Sequence, residues 1–245
     1  MGEIISVISG KGGTGKTTAC AAIATCLAAD GKRVLCIDTD IGLRNLDIAL
    51  GMSDLPIVAF TDVMHGHYSL DEATQHPKLP GLFLLTAPVR ENQEIVDADA
   101  FGRMLEDVRK FFDFCLIDAP AGIGTGFRLA TRFADRFLIV ATPDPASIRD
   151  AGCAADLLQL DGKEDIQLVV NRAAPRMFTR MELTVDDMMD EVGLPLIGLV
   201  PEDPDVTLAA ADGTALIFAT DGGAAEACLR ISRRLRGVPM SLMKL

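Results

Sequence analysis

The sequence predicts an α/β protein in which helices flank both faces of a single doubly wound, mostly parallel sheet. Strand-like apolar runs alternate with helical patterns along all 245 residues, an order typical of strand–helix–strand units. Aromatic residues make up only 5% of the chain, so Ala, Val, Leu and Ile must fill the core, as helices packed on a parallel sheet prefer. A glycine-rich segment, Gly10–Thr18, separates the first strand pattern from the first helix pattern.

Seven short runs are predicted as strands because they are apolar and are bounded by turn signals. They are residues 3–9, 33–38, 82–86, 113–118, 136–141, 166–171 and 195–200. The first helix is predicted over the alanine-rich stretch Thr18–Ala29, and the last over apolar residues that repeat at helical spacing from Ala224 to Val238. No linker or repeat divides the chain, so we expect one domain over residues 1–245, ending in a short tail at residues 239–245.

Charge and cysteine content narrow the classes of function. The net charge of −12 argues against tight non-specific binding to nucleic acid, whose phosphates require a cationic surface. The six cysteines form no C-x-x-C pair, and most lie in apolar patterns, which is typical of small buried side chains in a reducing cytosol. No apolar run reaches the 18 residues that a membrane-spanning helix needs. We therefore expect a cytoplasmic protein.

The segment that begins at Gly10 fits the phosphate-loop pattern G-x-x-x-x-G-K-[ST], with Gly15, Lys16 and Thr17 in the required places. Glycines let the backbone N–H groups turn inward toward phosphate oxygens, and the start of the following helix adds partial positive charge. Lys16 is predicted to reach the β- and γ-phosphates, and the Thr17 hydroxyl to bind Mg²⁺. The residues predicted to hold the phosphates are Gly12, Gly13, Thr14, Gly15, Lys16, Thr17 and Thr18.

Carboxylates follow two predicted strands at their carboxyl ends, where ligands bind in such sheets. Phe114–Asp118 has four apolar residues before an acid, a Walker B pattern that predicts Asp118 in the Mg²⁺ shell. Asp38 ends the second predicted strand and Asp40 follows it, and two carboxylates so spaced can position a water and a switch segment near a metal-bound phosphate. Arg44 and Asp47 further along are predicted either as part of that switch or as an ordinary solvated turn.

Lys11 lies between two glycines, and the run from Lys11 to Thr18 resembles the deviant phosphate loop of the MinD/ParA ATPases, which are P-loop NTPases. The resemblance covers nearly the whole chain. It implies that ATP brings two copies together as a homodimer and that Lys11 touches the nucleotide of the partner subunit. It also implies that Asp38 orients the attacking water and that Asp40 responds to the γ-phosphate. A solvated loop lysine is the ordinary alternative for Lys11.

The same resemblance predicts where the base of the nucleotide lies. Asn171 and Arg172 end the sixth predicted strand, and Pro201, Glu202 and Asp203 end or follow the seventh. In the family these two segments flank the adenine, and the Asn171 amide offers both a donor and an acceptor to a base edge. The alternative for Glu202 and Asp203 is that they cap the helix that follows them.

The segment from Asp38 to Asp47 resembles the switch of the MinD branch of the family. That resemblance implies a slow, Mg²⁺-dependent ATPase, stimulated by an activator protein, that controls septum placement through a MinC-like septation inhibitor. Two other functions stay open at this stage. One is a cytosolic nucleotide-gated scaffold that positions a flagellum or a pilus, and the other is a DNA-partition ATPase, which the acidic composition disfavours.

Many members of the family carry a basic amphipathic helix at the C-terminus, where this sequence has only six residues after Pro239. Six residues cannot form a stable helix in isolation. Outward-facing arginines of the last helix, together with Lys244 and the apolar tail, are nevertheless expected to give a weak contact with anionic membrane. The sequence thus predicts a cytoplasmic protein with weak peripheral attachment to the inner face of the cell membrane. The arginines are Arg230, Arg233, Arg234 and Arg236.

Overall fold

A computed structural model describes residues 1–88 and 96–244 and contains an eight-stranded sheet with the order β3-β4-β2-β5-β1-β6-β7-β8. All strand pairs are parallel except β3 with β4, so the predicted fold class is confirmed. The strands are β1 Glu3–Ile8, β2 Val34–Asp38, β3 Thr74–Gln75, β4 Leu82–Leu85, β5 Phe114–Asp118, β6 Arg136–Ala141, β7 Asp165–Ala173 and β8 Leu196–Pro201.

The seven predicted strands all form, and β7 departs most from its predicted bounds because it continues to Ala173. Strand β3 was not predicted. It has only two residues, and it forms because Thr74 and Gln75 pair antiparallel with β4 at the edge of the sheet. Two polar residues carry no alternation that a sequence pattern could detect, so this strand depends on its neighbour.

Eleven α-helices are assigned within the described residues. Helix α1 begins at Lys16, directly after Gly15 in the left-handed region (φ 82°), so it starts earlier than predicted. The helices are α1 Lys16–Ala29, α2 Leu46–Leu50, α3 Phe60–Met64, α4 Ala98–Phe111, α5 Thr125–Arg132, α6 Pro145–Leu160, α7 Pro175–Met181, α8 Val185–Val192, α9 Asp205–Ala211, α10 Leu216–Ala219 and α11 Gly223–Leu235.

The core lies in two layers, one on each face of the sheet. Side chains of β1 alternate between them, with Ile4 and Ile8 on the face covered by α4, α5, α6 and α8, and Ile5 and Val7 on the face covered by α1, α2 and α11. Helix α1 is buried along almost its whole length, which its small Ala and Cys side chains permit. This burial fixes the start of α1 against the carboxyl ends of the central strands.

The C-terminal residues fold back onto α11 instead of projecting freely. Arg230 donates to the backbone oxygen and the hydroxyl of Ser241, at 3.1 and 2.6 Å, and Arg234 donates to the backbone oxygen of Met240 at 3.3 Å. Met243 packs partly buried against the core. Leu245, the last residue of the predicted tail, lies outside the described residues.

The arginines of this helix are partly exposed, and their head groups form contacts within the chain. Arg230 also pairs with Glu226, Arg233 and Arg236 pair with Asp30, and Arg234 also donates to the backbone oxygen of Leu196 at 3.2 Å. In residues 1–88 and 96–244 no helix has the length and apolar character that crossing a membrane requires.

Candidate functional site

The glycine-rich loop joins β1 to α1 and contains two positions whose backbone conformation favours glycine. Gly13 and Gly15 have φ angles of 81° and 82°, which L-residues rarely adopt. A Cβ at Gly15 would also collide with the side-chain amide of Asn171. The hydroxyl of Thr14 is buried with no hydrogen-bond partner in the described part of the chain. Because buried hydroxyls are normally paired, this orphan atom fits a loop that holds an oxyanion.

Lys16 and Asp118 form a buried ion pair at the start of α1. The Lys16 Nζ lies 2.5 Å from Asp118 Oδ1, and the two side chains are 7% and 1% exposed. Burial raises the pKa of Asp118, and the Lys16 ammonium opposes that rise. The Thr17 hydroxyl lies 3.4 Å from the same ammonium. A lysine, a carboxylate and a hydroxyl together are what a phosphate with a bound Mg²⁺ requires.

Asp38 lies beside Asp118 in the register of β2 and β5, so the structure brings together the two predicted carboxylates. Its side chain accepts hydrogen bonds from the backbone N–H groups of Asp40 at 2.9 Å, Asn45 at 3.3 Å and Leu46 at 3.2 Å. Burial, and then the charge of Asp118, raise the pKa of Asp38 to about 6, and the three N–H donors oppose the rise. Asp38 therefore holds the residues that follow β2 in place.

Asp40 lies two residues after Asp38 and is only partly buried. Burial and the charge of Asp38 raise its pKa, while Lys16 lowers it. The nearby Arg44 and Asp47 pair at 3.5 Å across a turn. That contact matches the ordinary-turn alternative for these two residues in this conformation.

Lys11 is engaged within its own subunit. Its Nζ lies 2.8 Å from Asp144 Oδ1, and both side chains are about a third exposed, at 34% and 35%. Asp144 caps α6 by accepting from the Ser147 N–H at 3.0 Å, and it accepts from the Thr142 hydroxyl at 2.6 Å. Burial acts to raise the pKa of Asp144, but hydrogen bonds from Lys11 and Thr142 lower it overall. Lys11 is thus neither a freely solvated lysine nor directed away from the subunit.

A cavity of about 610 Å³ lies between the start of α1, the carboxyl ends of β7 and β8, and the start of α11. Its volume is in the range of sites for nucleotide-sized ligands. All five residues predicted near the base line it, namely Asn171, Arg172, Pro201, Glu202 and Asp203. Sequence reasoning missed the apolar side of the cavity, which is formed by Ala19, Ala22, Leu216, Ala224 and Cys228. Those residues follow ordinary core patterns, so no local signal marks them.

Two of the cavity residues use their side chains to build the site itself. The Asn171 amide nitrogen donates to the backbone oxygen of Thr14 at 2.7 Å and so joins the cavity to the glycine loop. Asp203 accepts from the backbone N–H groups of Asp205 at 2.9 Å and Ala224 at 2.8 Å. Asp203 thus links the starts of α9 and α11, but the N-cap of α9 is Pro204, so the helix-capping alternative is not what the structure shows. Arg172 has a left-handed backbone, with φ at 53°, which is uncommon outside glycine.

Within the described ranges, no group of three or more His, Cys, Asp or Glu side chains is placed to hold a metal ion. Mg²⁺ needs no such group, because it commonly binds through one or two protein oxygens together with phosphate and water. Thr17 and Asp118 supply those oxygens beside the loop, so the residues present fit a magnesium–nucleotide ligand.

Comparison with known proteins agrees with this geometry. The family model described as "CobQ/CobB/MinD/ParA nucleotide binding domain" matches residues 5–217. The septum site-determining protein MinD of Synechocystis is 37% identical over 220 residues, which cover 89% of this chain and 83% of that protein. The MinD of Bacillus subtilis is 34% identical over 250 residues, covering 100% of this chain and 93% of that protein.

Solved structures of MinD proteins are also similar to this chain. The MinC:MinD cell division protein complex of Aquifex aeolicus contains a chain that is 35% identical, with a TM-score of 0.91 and coverage of 99% of this chain and 98% of that one. MinD of Pyrococcus horikoshii, complexed with Mg-ADP, is 27% identical with a TM-score of 0.83, and 96% of each chain is covered.

Proposed function

This chain belongs to the CobQ/CobB/MinD/ParA nucleotide-binding family, and from that premise we propose that it is a Mg²⁺-dependent ATPase whose ATP-bound dimer regulates septum placement. The observation that carries the proposal is the similarity over 99% of the chain to a MinD protein in complex with MinC. The glycine loop, the Lys16–Asp118 pair and the 610 Å³ cavity supply a matching nucleotide site in this chain.

In the proposed complex, backbone N–H groups of residues 12–18 and the Lys16 ammonium hold the phosphates. Thr17 and Asp118 hold Mg²⁺, which when bound neutralises charge on the phosphates. Lys16 then exchanges Asp118 for phosphate oxygens, which leaves the Asp118 carboxylate free for the metal. The cavity around Asn171, Arg172 and Pro201 takes the adenosine.

Asp38 is the proposed residue that orients the attacking water. Two backbone N–H groups, those of Asn45 and Leu46, share one of its oxygens. The other oxygen accepts only from the N–H of Asp40, so it has capacity left for a hydrogen bond from water. The switch segment, residues 39–45, is proposed to rearrange during the cycle, which is consistent with slow turnover that an activator protein stimulates.

Lys11 is proposed to act in the dimer. Its ion pair with Asp144 must open before it can reach the nucleotide of a second subunit. The exchange replaces one anionic partner by another, so the lysine stays paired in both states. A cation delivered in this way stabilises charge on the leaving phosphates, as an arginine finger does.

The proposed partners are a MinC-like septation inhibitor, an ATPase activator and a second copy of this chain. The proposed location is the cytoplasm, with weak peripheral contact to anionic membrane through the tail. A nucleotide-gated scaffold that positions another complex is the second candidate. It uses the same ATP-bound dimer but does not require a septation inhibitor as its partner. Nucleic acid is disfavoured as a partner by the net charge of −12.

Light scattering of the purified chain with Mg-ATP and with Mg-ADP tests the proposal, combined with pull-down of a purified MinC-like inhibitor. We expect dimers and inhibitor capture with ATP only. Monomers under both conditions would contradict the proposed ATPase cycle. A dimer that forms with ATP but never captures the inhibitor would support the scaffold instead.

A further inference from the structure

His76 is a buried titratable residue that no part of the proposed mechanism uses. It follows β3 at the edge of the sheet and is 3% exposed. Its Nε2 lies 3.0 Å from the backbone oxygen of Leu50, and its Nδ1 lies 3.1 Å from the backbone nitrogens of both Lys78 and Leu79. The ring also stacks on Phe218 with a centroid distance of 5.9 Å. One side chain thus joins three segments that are distant in sequence.

These contacts determine the tautomer of the ring. Two backbone N–H groups point at Nδ1, so Nδ1 accepts and carries no proton. The proton is then on Nε2, which donates to the Leu50 carbonyl. Burial lowers the pKa of His76, and the hydrogen bond to Leu50 opposes this. The neutral form is therefore the one that satisfies every contact of the ring.

Leu50 is the last residue of α2, the short helix that follows the switch segment. The first residue of the same helix, Leu46, donates its N–H to Asp38. A helix of five residues is not stable by itself, so contacts at its ends must hold it. Asp38 holds one end from inside the site, and His76 holds the other from the edge of the sheet.

We propose that His76 is a positioning residue, which by donating from Nε2 to Leu50 fixes the far end of α2 so that its first N–H groups meet Asp38. The switch segment then moves about a fixed point at Leu50, and the resting contacts of Asp38 re-form after each cycle. The stack on Phe218 ties this point to α10, whose Leu216 lines the nucleotide cavity. The role in turnover rests on the proposed ATPase function, whereas the anchoring of α2 does not.

Two substitutions separate the nitrogens of the ring. A glutamine places an amide N–H near the position of Nε2, whereas an asparagine places an amide oxygen near Nδ1. His76→Gln therefore keeps the donor to Leu50, and His76→Asn keeps the acceptor for Lys78 and Leu79. His65→Asn, at an exposed histidine, is the matched control. Circular dichroism and thermal melting confirm that each variant folds.

Hydrogen exchange of the amides of residues 45–52, measured without nucleotide, reports the anchor directly. We expect His76→Asn to exchange roughly five-fold or more faster there, the effect of about one net hydrogen bond. His76→Gln and His65→Asn should stay close to the parent. In ATP turnover, His76→Asn should change kcat while KM for ATP stays near the parent value, and glutamine should restore kcat.

Three results would overturn the proposal. Parent-like exchange in His76→Asn would show that Leu50 needs no anchor. Equal acceleration in the asparagine and glutamine variants would assign the effect to ring packing instead of the Leu50 hydrogen bond. Faster exchange with an unchanged kcat would remove the positioning role. A parent protein without ATP turnover would instead contradict the proposed function, and the exchange data would still decide whether His76 anchors α2.

Discussion

The two ends of the sheet differ in how deeply their charged side chains are buried. At the carboxyl end, the Lys16–Asp118 pair and Asp38 are almost completely buried, at 7%, 1% and 1% exposure. At the amino end, Arg109 pairs with Asp135, whose side chain is 41% exposed. One end keeps its charges out of water and the other leaves them partly in it.

Pairing is also more complete at the amino end. Arg109 reaches both oxygens of Asp135, at 2.5 and 2.9 Å, and it also donates to the backbone oxygens of Gly2 and Phe133. The hydrogen bond with Asp135 raises the pKa of Arg109. At the carboxyl end, by contrast, burial raises the pKa of Asp38 and Asp118. Buried charge of this kind costs stability, and it is typical of sites that a ligand completes.

The largest effect is expected from Lys16→Ala, at the buried carboxyl end of the sheet. The variant loses the buried cation beside the glycine loop, so we expect ATP binding to become very weak or undetectable by calorimetry. Lys110→Ala is the matched control, because Lys110 forms an exposed pair with Asp107 at 2.8 Å. Parent-like affinity in Lys16→Ala would contradict the phosphate-loop assignment.

The next largest effect is expected at the Lys11–Asp144 pair. Lys11→Ala should bind ADP like the parent yet fail to dimerise with ATP, because the lysine is proposed to contact the nucleotide of the partner subunit and not that of its own. Asp144→Asn should favour dimers at lower ATP concentration, since it weakens the hold on Lys11 while its side-chain oxygen can still cap α6 through Ser147. Light scattering with titrated Mg-ATP measures both. Normal dimerisation of Lys11→Ala would remove the role across subunits.

The pH dependence of stability tests the cost of burying Asp38. Its pKa of about 6 lies above the ordinary value of 3.8, so the folded state binds the proton more tightly than the unfolded state. The contribution of Asp38 to the free energy of unfolding therefore falls as pH rises from 3.8 to about 6. Above that range the loss reaches up to about 3 kcal/mol. Denaturant melts in EDTA at pH 4.5 and 7.5 should show Asp38→Asn gaining stability relative to the parent at the higher pH. A pH-independent difference would contradict the burial argument.

The sequence predicted the seven main strands, and the loop and cavity residues that the structure groups at one end of the sheet. It did not predict the partners of Lys11 and Asp203, because those contacts depend on how distant elements pack. Lys11 meets Asp144 across 133 positions, and Asp203 meets Ala224 across 21. Local patterns identify residues that chemistry requires at fixed spacing, whereas the state in which a side chain rests is set by the assembled fold.

The smallest expected effect concerns the C-terminal tail, which docks near the amino end of the sheet. Arg230 and Arg234 already bind Ser241, Met240 and the backbone of Leu196, so their charge is less available to lipid headgroups than the sequence suggested. Releasing the tail costs these contacts. Burial of one apolar side chain in a bilayer contributes at most about 1.5–3 kcal/mol, and ordering a loose tail offsets part of that gain.

A single tail should therefore bind vesicles of anionic lipid only marginally. Two tails on one ATP-bound dimer gain from effective concentration, so ATP should strengthen any attachment. Sedimentation of the full chain and of a variant lacking residues 240–245, each with ATP and with ADP, measures this directly. We expect the full chain with ATP to pellet most. Equal pelleting of all four samples would show that the tail only packs against α11. It would also remove the membrane contact from the proposed function.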